Sequence, residues 1–181
     1  MKRRSIVLAI CCVLLLLFSA CSNSDQSQTA SMVQDIRDIT HDPKYSAEVW
    51  DDLGIRDRWQ LLVAYEREVE KAMGLDPVEI VPFLDEGATV GFYSHPERAI
   101  YLSKFLLLDR DIALSVVRHE LRHYYQNVLC DDLPENHSDI ATKIIKLWDR
   151  NRKQESFPRG GPEFYTQPLE EDAYAWEVLT G

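Results

Sequence analysis

Two imidazoles and a carboxylate stand within five residues at His119, Glu120 and His123, in the order His-Glu-x-x-His. On a helix the two histidines, at i and i+4, project from one face a turn apart, so both rings can reach a single Zn²⁺ at about 2.0–2.1 Å. Glu120 then lies beside an open coordination position. There it can take a proton from a water whose pKa the ion lowers toward about 7, giving a nucleophile usable at neutral pH. The chemistry is hydrolysis. A surface helix carrying two solvated imidazoles is the other reading of five residues, so the rest of the chain must supply a third ligand and a body to hold it.

A catalytic zinc takes three protein ligands and an open position, and two His with one Glu is a standard set. The chain holds a candidate source about fifty residues on. Gln167 or Thr166 before Pro168 marks a helix start with Pro in its first turn and acids close behind. In Leu169-Glu170-Glu171-Asp172-Ala173-Tyr174-Ala175, Glu170 has Ala173 at i+3 and Glu171 has Ala175 at i+4, small residues that let a neighbouring helix approach. Either acid could reach the ion. His137 is a weaker candidate, since the longer three-histidine signature does not follow His123.

The positioning elements are read from periodicity. Tyr45 to Leu53 is a short helical lead-in. Asp57 then opens a helix in which Leu61, Leu62, Tyr65, Val69, Ala72 and Met73 recur at helical spacing until Gly74, with Glu66, Glu68 and Glu70 as a solvated face. Val78–Val81 is strand-like, and Ala88–Tyr93 with Ala99–Leu102 flank the turn residues Ser94–Arg98 as a β-hairpin whose turn exposes His95. Asp109 or Asp111 caps the helix that carries His-Glu-x-x-His to about Leu129. Arg118 and Arg122 lie off the histidine face, with Arg122 expected to snorkel outward. Asp131–Pro134 breaks the chain before an amphipathic helix with Ile140, Ile144, Leu147 and Trp148, and Ser156–Pro162 is a loop before the last helix. These elements make an α+β body: an N-terminal helix, a small sheet with a hairpin, the histidine helix and two further helices.

The first twenty residues stand apart from that body. Met1-Lys2-Arg3-Arg4 is basic, Ile6–Phe18 is uninterruptedly apolar, and Ser19-Ala20 precedes Cys21, as in a secretory signal peptide whose Phe18-Ser19-Ala20-Cys21 resembles a bacterial lipobox with Cys21 as the lipidated residue. The apolar run is shorter than the roughly 20 residues that a membrane span needs. Ser22–Ser31 is small and polar, the composition of a tether. The expected division is 1–20 signal peptide, 21–44 lipid anchor and flexible linker, and 45–181 the folded domain, on an exported chain held at a membrane by lipid. Losing 1–20 removes Lys2, Arg3 and Arg4 and no acid, so a formal charge of −10 becomes −13. Such a balance argues against nucleic acid and for peptide or protein partners. Cys130 is then the lone thiol and is expected in the core, which excludes a cysteine-rich zinc site.

His119-Glu120-Leu121-Arg122-His123-Tyr124-Tyr125-Gln126 and Pro168-Leu169-Glu170-Glu171-Asp172-Ala173, with Gly91-Phe92-Tyr93 and Ile100-Tyr101-Leu102 in the hairpin, resemble small bacterial gluzincin-like zinc metallopeptidases. The likeness runs roughly from Asp57 to Leu179 and departs from the stricter signature at Arg122. It implies a zincin-like fold with one Zn²⁺ on His119, His123 and Glu170, and Glu120 as general base. Asp172 is implied as an orienting neighbour of a ligand His or, with Glu171, as an alternative ligand. It further implies that an extended peptide can pair with an edge strand of the sheet; Tyr93, Tyr101 and Tyr165 could each donate to a developing oxyanion, with ordinary packing the preferred reading of any one of them. A lipoprotein that keeps this fold to bind a metal or a partner, without turnover, is the alternative.

Overall fold

The computed structural model describes residues 23–84, 89–132, 140–153 and 164–181, and is mixed α+β. Helices α1 (Asn23–Thr40), α2 (Ala47–Asp52) and α3 (Ile55–Ala72) precede strands β1 (Glu79–Phe83), β2 (Gly91–Ser94) and β3 (Ala99–Ser103). After them come α4 (Arg110–Asp131), α5 (Ile140–Lys153) and α6 (Pro168–Thr180). The leader, Cys21, His137 and the Ser156–Pro162 loop lie outside the described residues.

The sheet has the order β1-β3-β2, with β1 parallel to β3 and β2 antiparallel to it, so β2–β3 is the expected hairpin. One glycine sets how closely this sheet meets α4. A Cβ on Gly91 would sit 2.8 Å from Cγ1 of Val116 and 3.2 Å from the Tyr101 carbonyl oxygen, so only a residue without a side chain lets β2 lie this near the helix. Asp109 is the cap of α4, accepting from the Ile112 amide at 3.1 Å. At the other junction Gln167 precedes Pro168, which starts α6 as expected. The start of α3 differs from expectation: Gly54 stands at its cap and Asp57 falls in the first turn. Arg58 fixes this junction by donating to the Trp50, Leu53 and Leu107 carbonyls.

α4 is the central element, packed against α3, α5, α6 and β2. Its Leu114, Val117, Leu121 and Tyr124 join Ile100 and Leu102 of β3, Leu62, Tyr65 and Val69 of α3, and Trp176 of α6 in one buried cluster. Burying each such side chain stabilises the fold by about 1.5–3 kcal/mol. Cys130, near the end of α4, is buried as well, its thiol against the Ile145 carbonyl of α5, and burial pushes that thiol up to about 11.

Three expectations are corrected. The stretch 21–44 is not a linker throughout: α1 occupies Asn23–Thr40, Ile36 is wholly buried in the core, and the Thr40 hydroxyl meets that of Tyr65 at 2.8 Å. Met32, Val33, Ile36 and Ile39 form an apolar stripe at helical spacing, which gives this polar segment a face to bury, so the folded body reaches back at least to Met32. Glu66 and Glu70 are not solvated but are fully buried on the inward face of α3, while Glu68 stays outside and pairs with Lys44. Arg122 does not snorkel. It is buried, donates through Nε and Nη2 to the two carboxylate oxygens of Asp172 at 2.6 and 3.1 Å, and sits over the rings of Trp176, Tyr125 and Trp148. An arginine can enter the interior when a planar carboxylate and aromatic faces replace its water.

Candidate metal centre

The middle of α4 and the first turns of α6 bring three donor atoms together. Nε2 of His119 and Nε2 of His123 are 3.2 Å apart, with Oε2 of Glu170 3.4 Å from the first and Oε1 3.3 Å from the second. Donors about 2.0–2.1 Å from a tetrahedral ion stand about 3.3–3.4 Å from one another, which the histidine pair nearly meets, and one ligand atom from each of the three side chains lies within 4.8 Å of the others, close enough to hold an ion. Among the described residues this is the one such grouping of His, Cys, Asp and Glu side chains. Glu171, the alternative ligand, is exposed and takes no part in it.

Further contacts fix how these candidate ligands face. Nδ1 of His123 lies 2.9 Å from Oε1 of Gln126, and an amide oxygen can only accept, so the ring proton is on Nδ1 and Nε2 keeps its lone pair for an ion. Gln126 is itself held by Nε2 donating to Asp172 at 2.7 Å and to the Leu169 carbonyl at 3.0 Å. Asp172 thus acts on the histidine through Gln126. The direct contact expected of it is absent because its carboxylate is turned to Arg122. The carboxylate beside a ligand ring belongs to Glu177, 3.4 Å from Nδ1 of His119, whose other oxygen accepts from the Ser115 hydroxyl. Partners of this kind set ring orientation and raise ligand basicity.

The charges suit a cation. Burial works against ionisation of Glu170, yet bonding to His119 and His123 holds its carboxyl down at about 2. Burial likewise opposes charge on His119, but Glu170, Glu177 and the nearby Glu120 raise it to about 10. Glu120 is buried next to these groups, with its carboxylate accepting from the Tyr93 amide at 2.9 Å. Burial pushes its carboxyl up and the charge of Glu170 adds to this, while both imidazoles and the Tyr93 amide oppose. A base shifted toward neutral pH is better matched to proton transfer.

Beyond Glu120 a cavity of about 570 Å³ opens between the hairpin turn and the end of α4, lined in part by Tyr93, His95, Tyr124, Asn127 and Asp131. Glu120, Tyr124, Asn127 and Asp131 form one stripe of α4, so the cavity and the base share a wall. Of the tyrosines expected near the chemistry, Tyr101 bonds to exposed Glu97, Tyr93 reaches Glu120 through its backbone, and the ring of Tyr165 lies against Tyr174. The ring against His119 is that of Tyr174 itself, with centroids 4.6 Å apart. Glu177 and Tyr174 were not singled out in the sequence, although their spacing from Glu170, i+7 and i+4, places all three on one helical face.

Comparison with protein-family models, with curated proteins and with solved structures returns no match.

Proposed function

We propose that the chain is a zinc-dependent metallopeptidase with a zincin-like fold, exported and tethered through Cys21. One observation carries this reading: His119, His123 and Glu170 converge at ligand spacing while Glu120, a carboxylate with no place in the ligand set, is held beside them. A protein that merely stored a metal would have no use for a buried base at that point. A divalent ion bound here supplies Lewis-acid polarisation of a peptide carbonyl and acidifies a water molecule. The residues supply the rest. Glu120, aimed by the Tyr93 amide, accepts the water's proton and passes it to the departing amine, returning to its starting state. Glu177 and the Gln126–Asp172–Arg122 chain keep the histidine rings in register through that cycle. The cavity beside Tyr124 receives a side chain of the peptide, and the burial of Glu120 limits bulk water around it.

The reading is tested by incubating the zinc-loaded full-length chain with a mixed peptide library beside the Glu120→Gln variant. Cleavage by the wild type, lost in a variant that still holds zinc, supports it. Zinc retained with no cleavage of any peptide favours a non-catalytic metal- or partner-binding lipoprotein. A wild type that holds no zinc overturns both.

A further inference from the structure

The 570 Å³ cavity beside the base is uneven in charge along its length. At about 1.5 Å per residue, Asp131 stands about 10 Å from Tyr124 and about 16 Å from Glu120 along α4. At the Tyr124 end a cation and an acid meet and offset one another: Arg98 donates to the Tyr124 hydroxyl at 3.3 Å, and that hydroxyl donates to the Asp76 carbonyl at 3.1 Å. At the far end the wall is made by two carboxylates, Asp131 and Asp132. Arg152 donates to Oδ1 of Asp131 at 2.8 Å, but it also serves Asp149 at 3.0 Å. Oδ2 of Asp131 has only Nε2 of His95 near it, at 3.9 Å, beyond hydrogen-bond reach. Among the described residues Asp132 forms no ion pair, and it caps the carboxyl end of α4, where the helix dipole adds negative charge. The far end is therefore short of a cation.

Between the two ends the walls are apolar. The rings of Tyr93 and Tyr124 lie 5.3 Å apart at 31°, and Val128 and Leu75 continue the lining. A long unbranched side chain with a charge at its tip fits such a channel, its methylenes on the rings and its charge beyond them. A glutamate would meet like charge at Asp131 and Asp132, and a leucine would cover them without pairing them. Resting on the peptidase reading, we propose that this cavity is the subsite for a lysine or arginine side chain of the peptide, whose cation reaches Asp131 and Asp132. An extended chain advances about 3.3–3.6 Å per residue, so the residue concerned lies within about three positions of the bond being cut. Asp132, with no other partner, is the residue that sets the preference.

The zinc-loaded full-length wild type, Asp132→Asn and Asp132→Lys are each given a peptide library in which every position near the cut carries Lys, Arg, Leu or Glu, and the products are read by mass spectrometry. The ratio of cleavage with Lys or Arg to cleavage with Glu at one position does not depend on how much of a variant is folded. The wild type is expected to show one position at which this ratio is at least about tenfold, lowered at least about threefold in Asp132→Asn and inverted in Asp132→Lys. The wild-type ratio is also expected to fall when salt is raised from about 0.1 to about 1 M, which shortens the screening length from about 10 to about 3 Å. A wild type that cleaves peptides with Lys, Arg and Glu within about threefold of one another at every position, or that prefers Leu, overturns the subsite and leaves the peptidase reading intact. So does a preference for Lys or Arg that survives in Asp132→Lys. A wild type that cleaves no peptide overturns that reading and the subsite with it.

Discussion

Glu66 is fully buried on α3 and neither of its carboxylate oxygens has a hydrogen-bond partner; Glu70, one turn on, is buried beside it. Glu70 is well served, accepting from the Val78 amide at 2.7 Å and from Arg67 at 2.9 Å, whereas Arg67 comes only to 3.6 Å from Glu66. Two carboxylates facing one guanidinium are neutral overall when one of them carries a proton. Burial, and then the charge of Glu70, push Glu66 from 4.5 up to about 8, against a smaller opposing effect of Arg67. The unfolded chain ionises this group near its ordinary value, so between that pH and about 8 the folded chain binds more protons than the unfolded one. Stability is therefore lost as pH rises through this window, at about 1.4 kcal/mol per unit, and levels off above it.

Glu66→Gln keeps the shape of the protonated acid, offers an amide N–H₂ toward Glu70, and cannot ionise. Urea unfolding of wild type and variant from pH 5 to 9, without added metal, isolates the effect, because every other titrating group is common to both chains. The two are expected to match near pH 5, with the variant more stable by about 3–5 kcal/mol at pH 9. A stability difference that does not change with pH, or a variant less stable at pH 9, refutes the reasoning.

The remaining predictions concern the elements around the candidate metal centre. Arg122→Met or Asp172→Leu alone leaves a buried charge without its partner and is expected to cost about 3–5 kcal/mol in urea unfolding, while the double variant recovers most of that loss. Glu177→Ala is expected to weaken zinc binding about 10–100-fold in competition with a chelating dye, with little change in unfolding midpoint measured without metal. Gly91→Val, forced against Val116 by a Cβ that would already stand at 2.8 Å, is expected to cost about 1–3 kcal/mol and to reduce kcat by displacing the Tyr93 amide from Glu120. A variant with wild-type stability and turnover would show that the strand does not aim the base.

What the sequence made legible follows from how local each relation is. His119, Glu120 and His123 lie within five residues of one helix, and Pro168 followed by acids marks a helix start by itself, so candidate ligands on both helices could be named, with Glu170 and Glu171 both left open by the residues alone. Asp109 and the residues of the hairpin turn were legible for the same reason. The partners of the ligands were not, because they depend on how α4 and α6 dock. Arg122 reads as a surface charge until Asp172 and three aromatic rings are found around it, and the salt bridge between them is what turns Asp172 away from the histidines. Glu66, Glu68 and Glu70 read as a solvated run, although 66 and 70 share the inward face with Leu62, Tyr65 and Val69. The polar start of α1 concealed a helix whose core contacts begin only at Met32.

The measurement closest to the central claim is the zinc content of the full-length chain after exhaustive dialysis, taken for the wild type and for His119→Ala, His123→Ala, Glu170→Ala and Glu171→Ala. One zinc per chain is predicted in the wild type and in Glu171→Ala, with essentially none in the other three. Zinc retained by Glu170→Ala and lost from Glu171→Ala, or no zinc in the wild type, would contradict the assignment.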